Sequence, residues 1–343
     1  MSAADRSGPP TGVATGVGSM PGRDPRTAAE VVAGEVELVA LPELPDRGIG
    51  ADMIGRCAAL LVGIPMDTSA SGYRLATGTS MMARRARDML AADLDAFEEI
   101  WETRGLQGDR PWVKVQICGP FTLAASVEMA NGHKALHDRG AWTDLVGSIA
   151  EGAANHAAEL RRRLGADVIV QVDEPLIDRV IEGSITPLSR LDVIDPVPAA
   201  TVAEHLDTLV DVVGGPVILH HCGRRFPWQV AAQTRLWGVS LDIDSIGVRR
   251  GSTADLDGFG ELIDRGTVVA LGAVPSTRPT PERHVEHVVD AVTALVDTIG
   301  ISHDVFTEQM IITPTCGLAG ADTDWARAAL TMATAVAEAL PQQ

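Results

Sequence analysis

The sequence predicts an α/β protein folded as a single (β/α)8 TIM barrel, and three features predict it. Short runs rich in Val, Ile and Leu recur along the chain, each bounded by Gly, Pro or Asp. Longer stretches with apolar residues at helical spacing separate these runs. The runs number eight, the count at which alternating strands and helices close into a barrel. They fall at residues 15–20, 36–41, 112–117, 167–172, 216–221, 237–242, 267–273 and 309–313. Runs such as Val217-Ile218-Leu219 and Val168-Ile169-Val170 are apolar without alternation, as strands covered on both faces are. Helical periodicity is clearest at 81–103, 143–164, 202–213, 283–298 and 324–339, with Thr323 or Asp324 expected to cap the last. An open doubly wound sheet would alternate in the same way, and the strand count favours the barrel over it. Residues 1–12 are expected to form a flexible tail, leaving 13–343 as the one domain.

Composition narrows the function. Across 343 residues, 46 Asp and Glu outweigh 28 Lys and Arg, for a formal net charge of -18. That charge repels phosphate backbones and anionic lipid, so neither nucleic acid nor a membrane is an expected partner. Hydrophobic residues at 45% and charged residues at 22% are those of a globular protein. No run approaches the ~18–20 apolar residues of a membrane span. The polar start, with Gly8, Pro9 and Pro10, lacks the apolar core of a secretory signal, and four cysteines are too few for a disulfide scaffold. A cytoplasmic location is the expectation. The glycines of Gly16-Val17-Gly18-Ser19-Met20-Pro21-Gly22 have the wrong spacing for a dinucleotide fingerprint, and no G-x-S-x-G elbow is present.

In a parallel barrel the reactive groups stand where strands run out into the following loops. Those positions here hold Ser19, Glu43, Cys118, Asp173 with Glu174, His220 with Cys222, Asp242 or Asp244, and Cys316. Three of the four cysteines therefore sit at strand exits. Side chains two apart on a strand share a face, so His220 and Cys222 can converge while His221 faces elsewhere. Imidazole and thiolate together suit zinc, and Cys316, far downstream, offers a second thiolate. Such a separation is foreign to a zinc finger but natural where all strand ends meet at one face. Asp242 could add an oxygen donor, with Asp244 on the same face. The plainer alternative is two buried cysteines acting as small hydrophobes beside a hydrogen-bonded histidine.

Of the adjacent acids Asp173 and Glu174, only one is expected to enter the mouth; it could bind an ammonium group or act as an acid–base catalyst, whereas a helix cap is the structural alternative. Gly18-Ser19 could donate to a carboxylate, and Glu43 is a lone acid between Pro42 and Pro45. The pairs His133/His137 and His284/His287 carry no metal signature; the second is expected on a solvated helix face. Cys57 reads as core, and Cys118 as core or mouth.

Five segments in order resemble the C-terminal catalytic barrel of cobalamin-independent methionine synthase, and more distantly the uroporphyrinogen decarboxylase and corrinoid methyltransferase barrels. They are Val17-Gly18-Ser19-Met20-Pro21, Gly119-Pro120-Phe121-Thr122-Leu123, Gln171-Val172-Asp173-Glu174-Pro175, His220-His221-Cys222 and Thr313-Pro314-Thr315-Cys316-Gly317-Leu318. The resemblance implies Zn2+ held by His220, Cys222 and Cys316, with Asp242 as the acid ligand and Asp244 as its alternative. It also implies that Ser19 contacts the carboxylate of homocysteine, that Glu43 and Asp173 contact its ammonium group, and that a methyl group passes to the metal-bound thiolate. The departures concern the methyl donor. Ala124-Ala125-Ser126-Val127 stands where the folate enzymes carry a tryptophan, and 272–278 holds no histidine where the family has a catalytic one. The family's additional N-terminal barrel also has no counterpart in this sequence. The expected partners are therefore homocysteine, or another small thiol, and a methyl donor that is either methylfolate or a corrinoid protein. A barrel that binds zinc or ligand without turnover is the non-enzymatic alternative.

Overall fold

The computed structural model describes residues 8–108, 111–187, 193–223, 225–246, 253–281 and 283–342. Its strands, in chain order, are β1 (Val13–Ala14), β2 (Met66–Ser69), β3 (Gly72–Leu75), β4 (Trp112–Cys118) and β5 (Val127–Glu128). They continue with β6 (Asp167–Asp173), β7 (Val217–His221), β8 (Gly238–Asp242), β9 (Val268–Val274) and β10 (Met310–Pro314). Seven of these form one curled parallel sheet in the order β1-β10-β9-β8-β7-β6-β4. The six predicted strands from 112 onward match to within a residue at either end.

The first two predicted strands require correction. Residues 15–20 and 36–41 are not continuous strands but meet through isolated parallel bridges, Thr15 with Leu38 and Ser19 with Glu43. Ala40 in turn bridges Lys114 of β4; the Leu41 N–H donates to the Lys114 carbonyl and the Lys114 N–H to the Val39 carbonyl, each at 2.9 Å. Residues 38–43 thus touch both edge strands of the sheet. Ladder pairing is intermittent because Gly18 takes φ +154 and lies against Gln116, where an added Cβ would come within 2.8 Å of the Gln116 amide. Pro42 and Pro45 also deprive the second segment of amide donors.

A small second sheet, β2-β3-β5, was not expected. Its hairpin, Met66-Asp67-Thr68-Ser69 against Gly72-Tyr73-Arg74-Leu75, is too polar to read as an apolar run. The helices follow the predicted periodicity. Met81–Thr103 is capped by Ser80, and Arg139–Leu164 is capped by Asp138 and ends on left-handed Gly165. The final helix, Thr323–Ala339, is capped by Asp322, whose carboxylate accepts the Trp325 N–H at 2.7 Å; Thr323 and Asp324 already lie inside it. The expected N-terminal tail spans residues 1–12. Residues 1–7 lie outside the described ones, whereas the Thr11 hydroxyl donates to the Thr307 carbonyl and the Gly12 N–H to that of Met310.

Two apolar cores divide at the sheet. The larger lies between strands and helices. The smaller gathers Val13, Leu38, Ile169, Ile218, Val268, Ala270 and Ile311 inside the curl, nearly one from each strand, with Trp112 and Trp237 packed beside it. That plug fills the end away from the strand exits, and a cavity opens at the exits. Ile169, fully buried in it, is expected to cost about 2–5 kcal/mol when truncated to Ala. Urea unfolding of Ile169→Ala measures the loss, and a cost below ~1 kcal/mol would mean that this interior is not close-packed.

Candidate active site

Parallel register sets the site. Asp173 pairs with His220, and His220 with Ser240, so three neighbouring strands present these side chains side by side on the inner face. The Ser240 hydroxyl sits 2.9 Å from His220 Nδ1, leaving Nε2 as the free donor nitrogen. Cys222 follows two residues later, past the end of β7, and Cys316 past the end of β10. Although 94 residues apart in sequence, their sulfurs lie 3.3 Å from each other. The donor atoms of His220, Cys222 and Cys316 all fall within 4.8 Å of one another. The contact with Cys222, with help from His220, pulls the Cys316 thiol down. The Cys222 thiol moves upward in return, through the same contact and burial.

That donor set fits a divalent ion of zinc type. It offers two sulfurs and one imidazole whose far nitrogen is held by a hydroxyl, which fixes the ring's orientation. The sulfur separation is slightly below the ~3.8 Å edge that Zn–S bonds of about 2.3 Å give in a tetrahedron. Asp242 is not part of the gathered group, nor is Asp244. The Asp242 carboxylate is turned to the short 3-10 segment Ile243–Ser245, where Oδ1 accepts the Asp244 N–H at 2.8 Å. Three of the four predicted ligands are therefore together and the acid is not, because its short side chain is engaged in capping.

A cavity of about 170 Å³ opens over the sulfurs, lined by Val17, Ser19, Glu43, Met53, Asp173, His220, Cys222 and Cys316. Every substrate-contacting residue predicted from the sequence lines it. Gly317 makes room for Ser19, since a Cβ there would lie 2.0 Å from Ser19 Oγ. Glu43 is buried and is pushed up to about 7 by desolvation, against the opposing pull of Arg56, whose Nε lies 3.5 Å from Oε1. Arg56 in turn meets Asp93, as does Arg47. Burial also raises Asp173, while His220 and a 2.6 Å hydrogen bond from Gln171 Nε2 oppose the rise.

The adjacent acids divide as alternation requires. Asp173 enters the cavity, whereas Glu174 faces outward and accepts from Phe121 N (2.8 Å), Thr122 N (2.7 Å) and Thr122 Oγ1 (2.6 Å) at the start of Pro120–Ser126. Glu174 is therefore a cap, on a neighbouring helix rather than its own. His221 faces away from the cavity, its Nδ1 2.8 Å from the Glu174 carbonyl. Cys118 is core, with Cys57 beside it and burial raising its thiol. His284 and His287 form a reciprocal cap at the start of Val285–Ile299, and the His133 and His137 rings meet at a tilt of 50° with centroids 4.9 Å apart.

Sequence reasoning missed the polar layer beneath the cavity. Lys114 is 1% exposed, and its Nζ donates to the Val17 carbonyl (2.9 Å), Gln116 Oε1 (2.8 Å) and Gln171 Oε1 (2.7 Å). Burial pushes this ammonium down to about 7, against the opposing charges of Asp173 and Glu43. A usable signal was present: polar residues at every second position of otherwise apolar strands, Lys114 and Gln116 in β4 and Gln171 and Asp173 in β6.

A family model described as the catalytic domain of cobalamin-independent synthase matches residues 12–339. The chain belongs to this family. Cobalamin-independent methionine synthases are methyltransferases, and the gathered His, Cys, Cys set stands at the strand ends of this member. Similar solved structures include a B12-independent methionine synthase from Shewanella sp. W3-18-1 in complex with selenomethionine. At 12% identity, with TM-score 0.61, the likeness covers 96% of this chain and 97% of that one. A protein described as a vitamin-B12-independent methionine synthase from Listeria monocytogenes matches with TM-score 0.56 at 15% identity, over 95% and 98% of the two chains. No curated protein matches by sequence. Among the described residues, no helix is long and apolar enough to cross a membrane.

Glu43 has a consequence for stability. The folded chain holds its proton up to about 7, against an ordinary value of 4.5, so folding takes up a proton between those values. Stability contributed by this group is present at low pH and lost as pH rises through about 7. Urea midpoints of the wild type should therefore fall relative to Glu43→Gln between pH 4.5 and 7.5; parallel profiles would contradict the assignment.

Proposed function

We propose that this methionine synthase family member is a zinc-dependent methyltransferase that methylates the thiol of homocysteine. The observation that carries the reading is one cavity holding both a soft-metal donor set and separate groups for an amino acid's two charges. The chemistry zinc supplies in such a set is deprotonation and orientation of an incoming thiol.

The chain's own residues do the rest. His220, Cys222 and Cys316 would hold the ion, with a position left for the substrate sulfur. Ser19 would donate to the substrate carboxylate, and Glu43 with Asp173 would accept from its ammonium group. Two buried carboxylates in a low-dielectric cavity favour a cation there, and binding one would oppose the burial that raises both. Asp173 also stands beside His220 in register and is the candidate to hold or move a proton. Fixing both ends of the amino acid converts methyl transfer to a step within one assembled complex.

The cavity volume, on the order of six waters' worth, suits an amino acid and leaves a bulky methyl donor to approach from the open side. That donor is methylfolate or a corrinoid protein. The absence of histidine from 272–278 favours a donor whose leaving group needs no proton from that loop. We also read residues 38–43 as the eighth stave, closing a single barrel over 13–343. Their bridges to both sheet edges and the place of Leu38 in the interior plug support it. Four free thiols fit a reducing, cytoplasmic setting.

Metal analysis of protein purified without added zinc is the direct test. One zinc per chain is expected in the wild type, and Cys222→Ser and Cys316→Ala should lose it while keeping the wild-type circular dichroism spectrum. Stoichiometric zinc retained in both variants would overturn the assignment. Methionine formation from homocysteine and methylfolate by the zinc-loaded protein would identify the donor; loaded protein that turns over only with a methylated corrinoid would identify the other.

A further inference from the structure

Three substrate-facing groups share one support beneath the cavity. Lys114 Nζ has three acceptors within 2.9 Å, the Val17 carbonyl, Gln116 Oε1 and Gln171 Oε1, so each proton of an ammonium group is used. As an ammonium group, held by the nearby charges of Asp173 and Glu43, Lys114 can only donate, and it then decides which way both glutamine amides point. With Oε1 of Gln171 held, its Nε2 must face the other way, donating to the Val17 carbonyl at 2.9 Å and to Asp173 Oδ1 at 2.6 Å. With Oε1 of Gln116 held, its Nε2 donates to the Leu41 carbonyl at 2.8 Å, two residues before Glu43. The Val17 carbonyl, caught by Lys114 and Gln171 together, anchors the segment that carries Ser19. Lys114, Gln116 and Gln171 are each no more than 2% exposed, so no water competes for these bonds.

We propose that Lys114 is a positioning residue that fixes the amide orientation of Gln171 and Gln116 and thereby aims Asp173, Glu43 and Ser19 at the amino-acid end of the substrate. The inference rests on the amino-acid reading of the cavity given above. Lys114 reaches neither the metal donors nor the cavity itself; it acts through the two amides. An apolar residue at this position would leave both glutamines free to flip, and a flipped Gln171 would present an oxygen to the Asp173 carboxylate. The cost would fall on recognition of the ammonium and carboxylate groups and not on the sulfur.

Calorimetric titration with L-homocysteine and with 4-mercaptobutanoate, the same thiol acid without the amino group, tests this. Two zinc-loaded variants are compared with wild type. Lys114→Met removes all three donors. Gln171→Glu keeps the shape and the acceptor for Lys114 and turns the Nε2 that serves Asp173 and the Val17 carbonyl into a carboxylate oxygen. Both should bind L-homocysteine about tenfold or more weakly, the loss of one hydrogen bond to a charged group. Both should hold 4-mercaptobutanoate within about threefold of wild type and keep one zinc per chain. Equal weakening of both ligands in Gln171→Glu would indicate a merely structural role and overturn the proposal, as would full homocysteine affinity in that variant. Gln171→Glu decides the matter even where Lys114→Met fails to fold. Wild-type protein that binds 4-mercaptobutanoate as tightly as L-homocysteine would instead overturn the amino-acid reading, and this inference with it.

Discussion

Parallel register on the inner face of the sheet is the constraint from which the site follows. Because β6, β7 and β8 run side by side in step, Asp173, His220 and Ser240 stand in one row without any loop having to place them. The same periodicity stacks the interior in layers. Apolar residues around Ile169 and Ile218 close one end, Lys114, Gln116 and Gln171 form a polar floor, and the carboxylates and thiols stand above it. A one-residue slip in any of these strands would turn every such side chain outward.

Burial makes that arrangement electrostatically tense. Two carboxylates and two thiols face a small cavity, and an unpaired charge in such a place is costly. The molecule answers with Arg56 beside Glu43, Lys114 below Asp173 through Gln171, and two thiols in hydrogen-bond contact. Compensation is partial, as the upward shift of both carboxylates records. The cavity is thus set to accept positive charge, which a divalent ion at the sulfurs and an ammonium group at the carboxylates would each bring.

The proposed thiol half of the chemistry rests on His220, Cys222 and Cys316, which stand at strand ends, where register keeps side chains in place at low sequence identity. The segments expected to serve a methyl donor are the end of β9 with the loop after it, 272–278, and the helix Pro120–Ser126. Loops diverge more readily than strands because fewer contacts constrain them.

The parallel α/β class, the six strands from 112 onward and the choice of His220 with Cys222 over His221 were legible in the sequence, because each depends on local pattern. The last six strands of the sheet were read to within a residue for the same reason: buried parallel strands are apolar runs. What the sequence left open depended on contacts between distant segments. Residues 15–20 and 36–41 looked like strands, yet the close approach of Gly18 to Gln116 and the prolines at 42 and 45 reduced them to bridges. Asp242 looked like a ligand, yet its carboxylate is taken up by its own turn. Which acid of the Asp173-Glu174 pair faced the cavity was decided by the strand face, and what the other one did was decided by a helix fifty residues earlier. Local pattern can name the residue types of a site, but which donor meets which acceptor is settled only when the strands stand side by side.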